Sequence, residues 1–271
     1  MTEEDIYEQF QDTLQPIYGD GELRSICRII YEDVVCKQDF DLSKLDSIHG
    51  RLQAQEPLQY ILGEADFYSL KFKVSPAVLI PRQETEELVA LFRQKESKGK
   101  SNKVLEIGTG SGCIPITLKF SHPRAKFTAV EYSETALVIA QENADRHQQK
   151  INFQHLDFCD LEQWASLDKY DVIVSNPPYI GKEESNNLEK NVLMYEPHLA
   201  LFSPKADANY FYRLIHEFSK TNLHSGGRVY LELNEYNAEE VKSIFAGSEF
   251  AEVEIVKDIH QKDRMLYGVK G

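Results

Sequence analysis

Long apolar runs, paired cysteines and a basic excess are all missing from this 271-residue chain. No uninterrupted apolar stretch approaches the roughly twenty residues that a membrane-spanning helix needs. The opening residues Met1-Thr2-Glu3-Glu4-Asp5 are acidic and lead into no apolar segment, so no secretory signal is expected. Cys27, Cys36, Cys113 and Cys159 are scattered and form no C-x-x-C pair, which reads as reduced core or near-core thiols of a cytoplasmic protein. The eight histidines lack metal-ligand spacing, and no metal is expected. Lys and Arg number 30 against 44 Asp and Glu, a formal charge of −14. Duplex DNA is normally held by a concentrated basic face, and the cluster from Arg93 to Lys103 reads as a solvated helix end and loop. Direct partnership with nucleic acid is therefore disfavoured, as is a membrane. No internal repeat or low-complexity tract stands out.

With 42% hydrophobic and 27% charged residues, the chain has ample material for a core. Its length allows one large domain, or a large one and a small one. Residues 1 to about 62 show helical periodicity, with Leu23, Ile26, Cys27, Ile30 and Val34 on one face and Leu45, Ile48 and Leu52 on another. Gly19-Asp20-Gly21 reads as a turn between the first two helices, and Asp39 to Ser43 offers N-caps for a later one. This predicts a small helical bundle, for packing or for substrate recognition. Between Gly63 and Pro81 the period changes, and Phe67, Leu70, Phe72, Val74 and Val78-Leu79-Ile80 suggest short strands or a hairpin linking two domains. A helix over Glu84–Lys95 follows.

From Lys103 onward strands and helices alternate, which implies a largely parallel sheet covered on both faces, an α/β fold. The strands are placed at 103–107, 126–130, 151–156, 171–174, 228–233, 253–256 and 265–269. The last two are separated by a segment too short for a crossover helix and should pair antiparallel.

Two loops on this scaffold carry chemistry. Val104-Leu105-Glu106-Ile107 runs into Gly108-Thr109-Gly110-Ser111-Gly112, a strand, a glycine-rich turn and the start of a helix. Glycines let the backbone pass close to a ligand, and the helix N-terminus favours a carboxylate. Glu131 stands about twenty residues on, at a strand end where it can accept hydrogen bonds from a ribose diol. The spacing is G-x-G-x-G rather than the G-x-G-x-x-G of dinucleotide enzymes, which suits S-adenosylmethionine, a ligand with a carboxylate and a ribose but no pyrophosphate. Phe158, beside Asp157, is placed to cover an adenine face or to pack in the core.

The second loop is Asn176-Pro177-Pro178-Tyr179, directly after Val172-Ile173-Val174. Neither proline can donate to a strand ladder, so the chain leaves the sheet in a stiff turn. The Asn side-chain oxygen and a pre-proline carbonyl can accept the hydrogens of a planar –NH2 group, with Tyr179 as a flat apolar wall. Such a turn suits methyl transfer to an amide or amino nitrogen. It would serve equally as a proline-terminated strand end.

With both loops in one domain, the chain resembles the class I S-adenosylmethionine-dependent methyltransferases, and more narrowly the bacterial peptide chain release factor glutamine N5-methyltransferases. The resemblance covers nearly the whole chain: Glu56–Gly63, Val78–Glu86, Gly108–Cys113, Ser175–Ile180, Tyr195-Glu196-Pro197, Lys257-Asp258 and Asp263-Arg264. Asn-Pro-Pro-Tyr also occurs in DNA adenine and RNA guanine methyltransferases, whereas the two segments before the glycine loop are more specific. Gln83 departs from a usual proline, and Glu106 and Glu131 replace common aspartates.

The resemblance implies a helical substrate-recognition domain at 1–62, a β-hairpin linker at 63–82 and a methyltransferase domain at 83–271 with a seven-stranded, mostly parallel sheet whose final strand is reversed. It implies S-adenosylmethionine as cofactor, held by Gly108, Thr109, Gly110, Ser111, Gly112, Glu131, Phe158 and Asn176. The substrate it implies is the Gln of the Gly-Gly-Gln sequence in release factors, bound by Asn176, Pro177, Pro178 and Tyr179, with Asn176 and Pro177 catalytic. Arg82, Glu84 and Glu196 are candidates for shaping the pocket or for salt bridges. A ribosomal-protein glutamine methyltransferase is the alternative, and a DNA adenine N6-methyltransferase a more distant one.

Overall fold

The computed structural model describes residues 1–37, 40–99, 102–181, 184, 188–204, 207–247 and 249–271. The chain forms two compact units, one of Met1–Gly63 with Glu189–Tyr195, the other of Glu64–Leu188 with Glu196–Gly271. Among the described residues no helix is long and apolar enough to cross a membrane.

The smaller unit is helical. Helix α1 (Glu3–Ile30) starts from a capping box in which Thr2 and Asp5 satisfy each other's backbone N–H groups. It breaks at Gly19, whose φ of 72° and ψ of 168° lie outside the helical region, so two helical segments meet at the turn expected there. The chain continues through a π-helical turn (Tyr31–Val35) into α2 (Leu42–Gln53), capped by Asp41, and α3 (Leu58–Leu62). Asp39, an expected cap, lies outside the described residues. Ile6, Phe10, Leu14, Leu23, Ile30, Leu45 and Leu52 bury together as this unit's core.

In the larger unit, β1 (Glu64–Phe67) and β2 (Leu70–Lys73) form an antiparallel hairpin. No strand follows at Val78-Leu79-Ile80. Pro76 and Pro81 bracket this segment, and the Ile80 N–H donates to a Glu196 carboxylate oxygen at 3.2 Å instead of to a sheet neighbour. Then come α4 (Gln83–Lys95), β3 (Lys103–Ile107), α5 (Cys113–Ser121), β4 (Lys126–Glu131), α6 (Glu134–Arg146), β5 (Asn152–His155) and β6 (Tyr170–Ser175). A short helix α7 (Lys190–Tyr195) belongs to the helical unit. After it the larger unit resumes with α8 (His198–Leu201), α9 (Tyr210–Asn222), β7 (Leu223–Glu232), α10 (Ala238–Phe245), β8 (Phe250–Lys257) and β9 (Asp263–Lys270). The short helices α7 and α8 had no counterpart in the sequence reading, because elements this brief do not complete an amphipathic period.

The strand order is β5-β4-β3-β6-β7-β9-β8. Strands β3 to β7 pair in parallel, and β9 runs antiparallel to both β7 and β8. The expected seven-stranded sheet with a reversed last strand is present. Strands β3 and β6 are buried on both faces, as their near-continuous apolar runs require. One core layer packs α4, α5 and α6 through Leu88, Phe92, Ile116 and Ala144, and the other packs α9 and α10 through Ile215, Phe218, Val241 and Phe245.

That strand order positions the site. The chain leaves β3 toward β4 and β5, then returns to place β6 on the other side of β3, so a crevice opens between the carboxyl ends of β3 and β6. Ile107 and Ser175, the last residues of these strands, are paired, and the Ser175 hydroxyl donates to the Ile107 carbonyl at 2.7 Å. The glycine turn and the Asn-Pro-Pro turn therefore leave the sheet side by side.

Candidate active site

A cavity of about 610 Å³ lies over these strand ends, within the size range of small-molecule sites. Gly108, Thr109, Gly110, Ser111, Glu131, Phe158, Asn176, Pro177 and Pro178 all line it. The floor is the glycine turn. The Gly108 and Thr109 N–H groups both donate to the Val130 carbonyl, at 2.9 and 3.2 Å, which ties the turn to the end of β4. Gly110 has a φ of 55°, and a Cβ built on it would meet nothing within 4 Å, so the backbone there faces open cavity.

Gly112 is different and does not line the cavity. A Cβ there would press on the Ile116 side chain at 3.1 Å and on Ala140 Cβ at 3.3 Å. It serves the close approach of α5 to α6 rather than ligand contact.

Glu131 is fixed by its own backbone partners. Its carboxylate accepts the Gly110 N–H at 2.9 Å and the Ser133 N–H at 3.0 Å. Each oxygen keeps a further acceptor site, as a hydroxyl-bearing ligand requires. Phe158 is buried and tilts against Trp164 with ring centroids 5.2 Å apart, while also edging the cavity. Its ring therefore packs in the core and also borders the cavity.

At the far end, the Asn176 amide donates to the Thr85 hydroxyl at 3.0 Å, and that hydroxyl donates to the Glu232 carboxylate at 2.7 Å. Tyr179 stands apart from the other residues of this turn. It is absent from the cavity lining; its ring packs against the core and its hydroxyl donates to the other Glu232 oxygen at 3.1 Å. The turn after two prolines sets the tyrosine against the core and the end of β7. Burial is the largest influence on Glu232 and raises its carboxyl to about 7, against the lowering effect of the Thr85 and Tyr179 hydrogen bonds. Neither Thr85 nor Glu232 was singled out from sequence. They lie 91 and 147 residues from their partners, and nothing local marks them.

Arg82 also lines the cavity, and its guanidinium pairs with the buried Glu196 carboxylate at 2.5 Å. Glu196 thus satisfies both Arg82 and the Ile80 N–H, tying down the segment before α4. Glu84 is not part of the lining.

Beneath the glycine turn, Glu106 accepts the Thr109 hydroxyl on one oxygen, while its other buried oxygen has no partner among the described residues. Burial pushes its carboxyl up to about 8, with Glu131 adding to the rise and Thr109 opposing it. A carboxyl raised above its ordinary value of 4.5 binds its proton more tightly in the folded chain, so stability present at low pH is lost as pH rises toward 8. Glu106→Gln does not titrate. Its thermal midpoint should therefore gain on the wild type between about pH 4.5 and about pH 8. A gap that stays constant across that range would show that Glu106 is ionised as readily folded as unfolded.

Residues 83–198 match the methyltransferase small domain family. The chain is 39% identical over 274 residues to the release factor glutamine methyltransferase of Flavobacterium psychrophilum, covering 95% of each. It is 37% identical over 269 residues to the protein of the same name from Bacteroides thetaiotaomicron, covering 94% of this chain and 96% of that one. In fold it is similar to a crystal structure of a methyltransferase from Pyrococcus furiosus, with a TM-score of 0.53, 19% identity, and coverage of 76% of this chain and 91% of that one.

Proposed function

The chain belongs to the release factor glutamine methyltransferase family, and from that premise we propose that it methylates the side-chain amide nitrogen of the Gln in the Gly-Gly-Gln sequence of peptide chain release factors, using S-adenosylmethionine. One observation carries the chemistry: the glycine turn after β3 and the Asn-Pro-Pro turn after β6 open into the same cavity. Its fit to the cofactor rests on the open backbone at Gly108 and Gly110, where any side chain would occupy ligand space.

When bound, the cofactor supplies an electrophilic methyl group on a sulfonium. Gly108, Thr109, Gly110 and Ser111 would cradle its amino-acid end near the α5 N-terminus. Glu131 would take the ribose hydroxyls, and Phe158 would flank the base.

An amide nitrogen is a poor nucleophile because its lone pair is delocalised into the carbonyl. The Asn176 side-chain oxygen and the Asn176 or Pro177 carbonyl would accept the substrate N–H hydrogens, drawing positive charge off the nitrogen as the N–C bond forms and the S–C bond breaks, and the nitrogen's surplus proton would pass to water. Pro177 and Pro178 stiffen the turn, so these acceptors need little rearrangement on reaction. Arg82 and Glu196 would hold the cavity wall.

The planar amide offers no selectivity against other Gln residues, so recognition requires further surface, which we assign to the helical N-terminal residues 1–62. The reaction belongs where translation factors act, in the cytoplasm.

The test is mass spectrometry of the Gly-Gly-Gln peptide after incubation of the full chain with S-adenosylmethionine and a folded release factor, with ribosomal protein and DNA in parallel. A single added methyl on that Gln is expected, with KM lower for the folded factor than for its excised peptide. Methyl found on ribosomal protein or DNA instead would overturn the assignment. Equal KM values would place recognition in the catalytic turn alone.

A further inference from the structure

We infer that Thr85 and Glu232 are positioning residues that turn the Asn176 amide so that its oxygen, and not its –NH2, faces the cavity; this deepens the methyl-transfer reading above and rests on it. A hydroxyl carries one hydrogen. Thr85 spends it on the Glu232 carboxylate at 2.7 Å, leaving only lone pairs toward Asn176. Two acceptors facing each other at 3.0 Å would repel, so the amide must present its –NH2 to Thr85. The oxygen is then the group left for a substrate N–H. Without the relay, the two amide rotamers differ by a half-turn and only one of them can accept.

The relay is held from several sides. Thr85 is 3% exposed and Glu232 is 1% exposed. The second Glu232 oxygen takes the Tyr179 hydroxyl, and Tyr212 donates to the residue's backbone carbonyl at 2.8 Å. Three hydroxyl donors converge on one buried residue at the carboxyl end of β7. Glu232 makes no direct salt bridge among the described residues, and a buried carboxylate of that kind costs stability that an apolar side chain would not. Its place beside Asn176 gives that cost a use.

The relay also predicts a dependence on pH. The groups that face Glu232 are Thr85 and Glu84 from α4, Tyr179 after β6, Tyr212 from α9 and Arg264 from β9. Burial raises the carboxyl, Arg264 lowers it and Glu84 raises it, with a balance at about 7. Protonated Glu232 can donate to Thr85, which frees the Thr85 hydrogen to point at Asn176. That arrangement favours the flipped amide, with –NH2 toward the substrate. Turnover should then fall as pH drops below about 7.

The experiment compares wild type, Thr85→Val and Thr85→Ser in methyl transfer to a folded release factor, with cofactor affinity measured by calorimetry. Valine keeps the shape and removes both the donor and the acceptor. Its kcat should fall on the order of tenfold, the worth of about one hydrogen bond, with cofactor affinity unchanged and the acid limb of the kcat–pH profile lost. Serine restores the hydroxyl and should recover both kcat and the limb. A Thr85→Val enzyme with wild-type kcat and pH profile would overturn the inference. So would a Thr85→Ser enzyme as slow as the valine variant, since packing of the methyl would then be what matters. If wild type itself leaves the Gly-Gly-Gln glutamine unmodified, the substrate reading fails first and this inference falls with it.

Discussion

Asn176→Ala should still bind S-adenosylmethionine but turn over at least about a hundredfold more slowly, the usual consequence of removing one positioned polar group from a transition state. The substitution deletes the acceptor oxygen at the cavity end of β6. It also strips Thr85 of a hydrogen bond, but leaves the Thr85–Glu232 contact in place. Pro177 and Pro178 still fix the turn, so the loss should appear in kcat far more than in calorimetric affinity for the cofactor. Single-turnover rates with saturating release factor make the measurement. If Asn176→Ala retained most of its rate there, the side-chain oxygen would have no part in polarising the amide.

Gly110→Val should have the opposite signature, a collapse of cofactor affinity. Two effects act together. At a φ of 55°, a β-branched residue is strained by about 1–3 kcal/mol. The new side chain would also project into open cavity, because a Cβ at this position meets nothing within 4 Å. The Gly110 N–H holds Glu131, so a shift of the turn to relieve strain would also loosen the group proposed to hold the ribose. A loss of affinity on the order of a hundredfold, about 2.8 kcal/mol, is expected by calorimetry, with a cooperative thermal transition retained. A folded variant with wild-type affinity would remove the glycine turn from the cofactor site.

The two substitutions separate the halves of the cavity. Asn176 should affect turnover far more than cofactor affinity, and Gly110 should affect cofactor affinity first. A chain in which both acted only on stability would have a cavity unrelated to methyl transfer.

Much of this architecture is legible in the sequence itself. Alternating apolar runs and amphipathic stretches placed nearly every strand of the sheet and the helices between them, because each signal lies within a single element. The glycine turn and Asn176-Pro177-Pro178 were equally local, since backbone conformations that need glycine or exclude an N–H donor are written in the residues themselves. Tertiary structure decided what lies between elements. Only the strand order brings Ile107 beside Ser175, and with them the two loops that share a cavity. It set the Tyr179 hydroxyl on Glu232, gave Gly112 to helix packing, and left one Glu106 oxygen buried without a partner among the described residues. It also joined Thr85, Asn176 and Glu232 across 91 and 147 residues. A threonine and a glutamate look ordinary anywhere in a sequence; their roles come from burial and from the direction of one hydroxyl hydrogen, which only the folded chain sets.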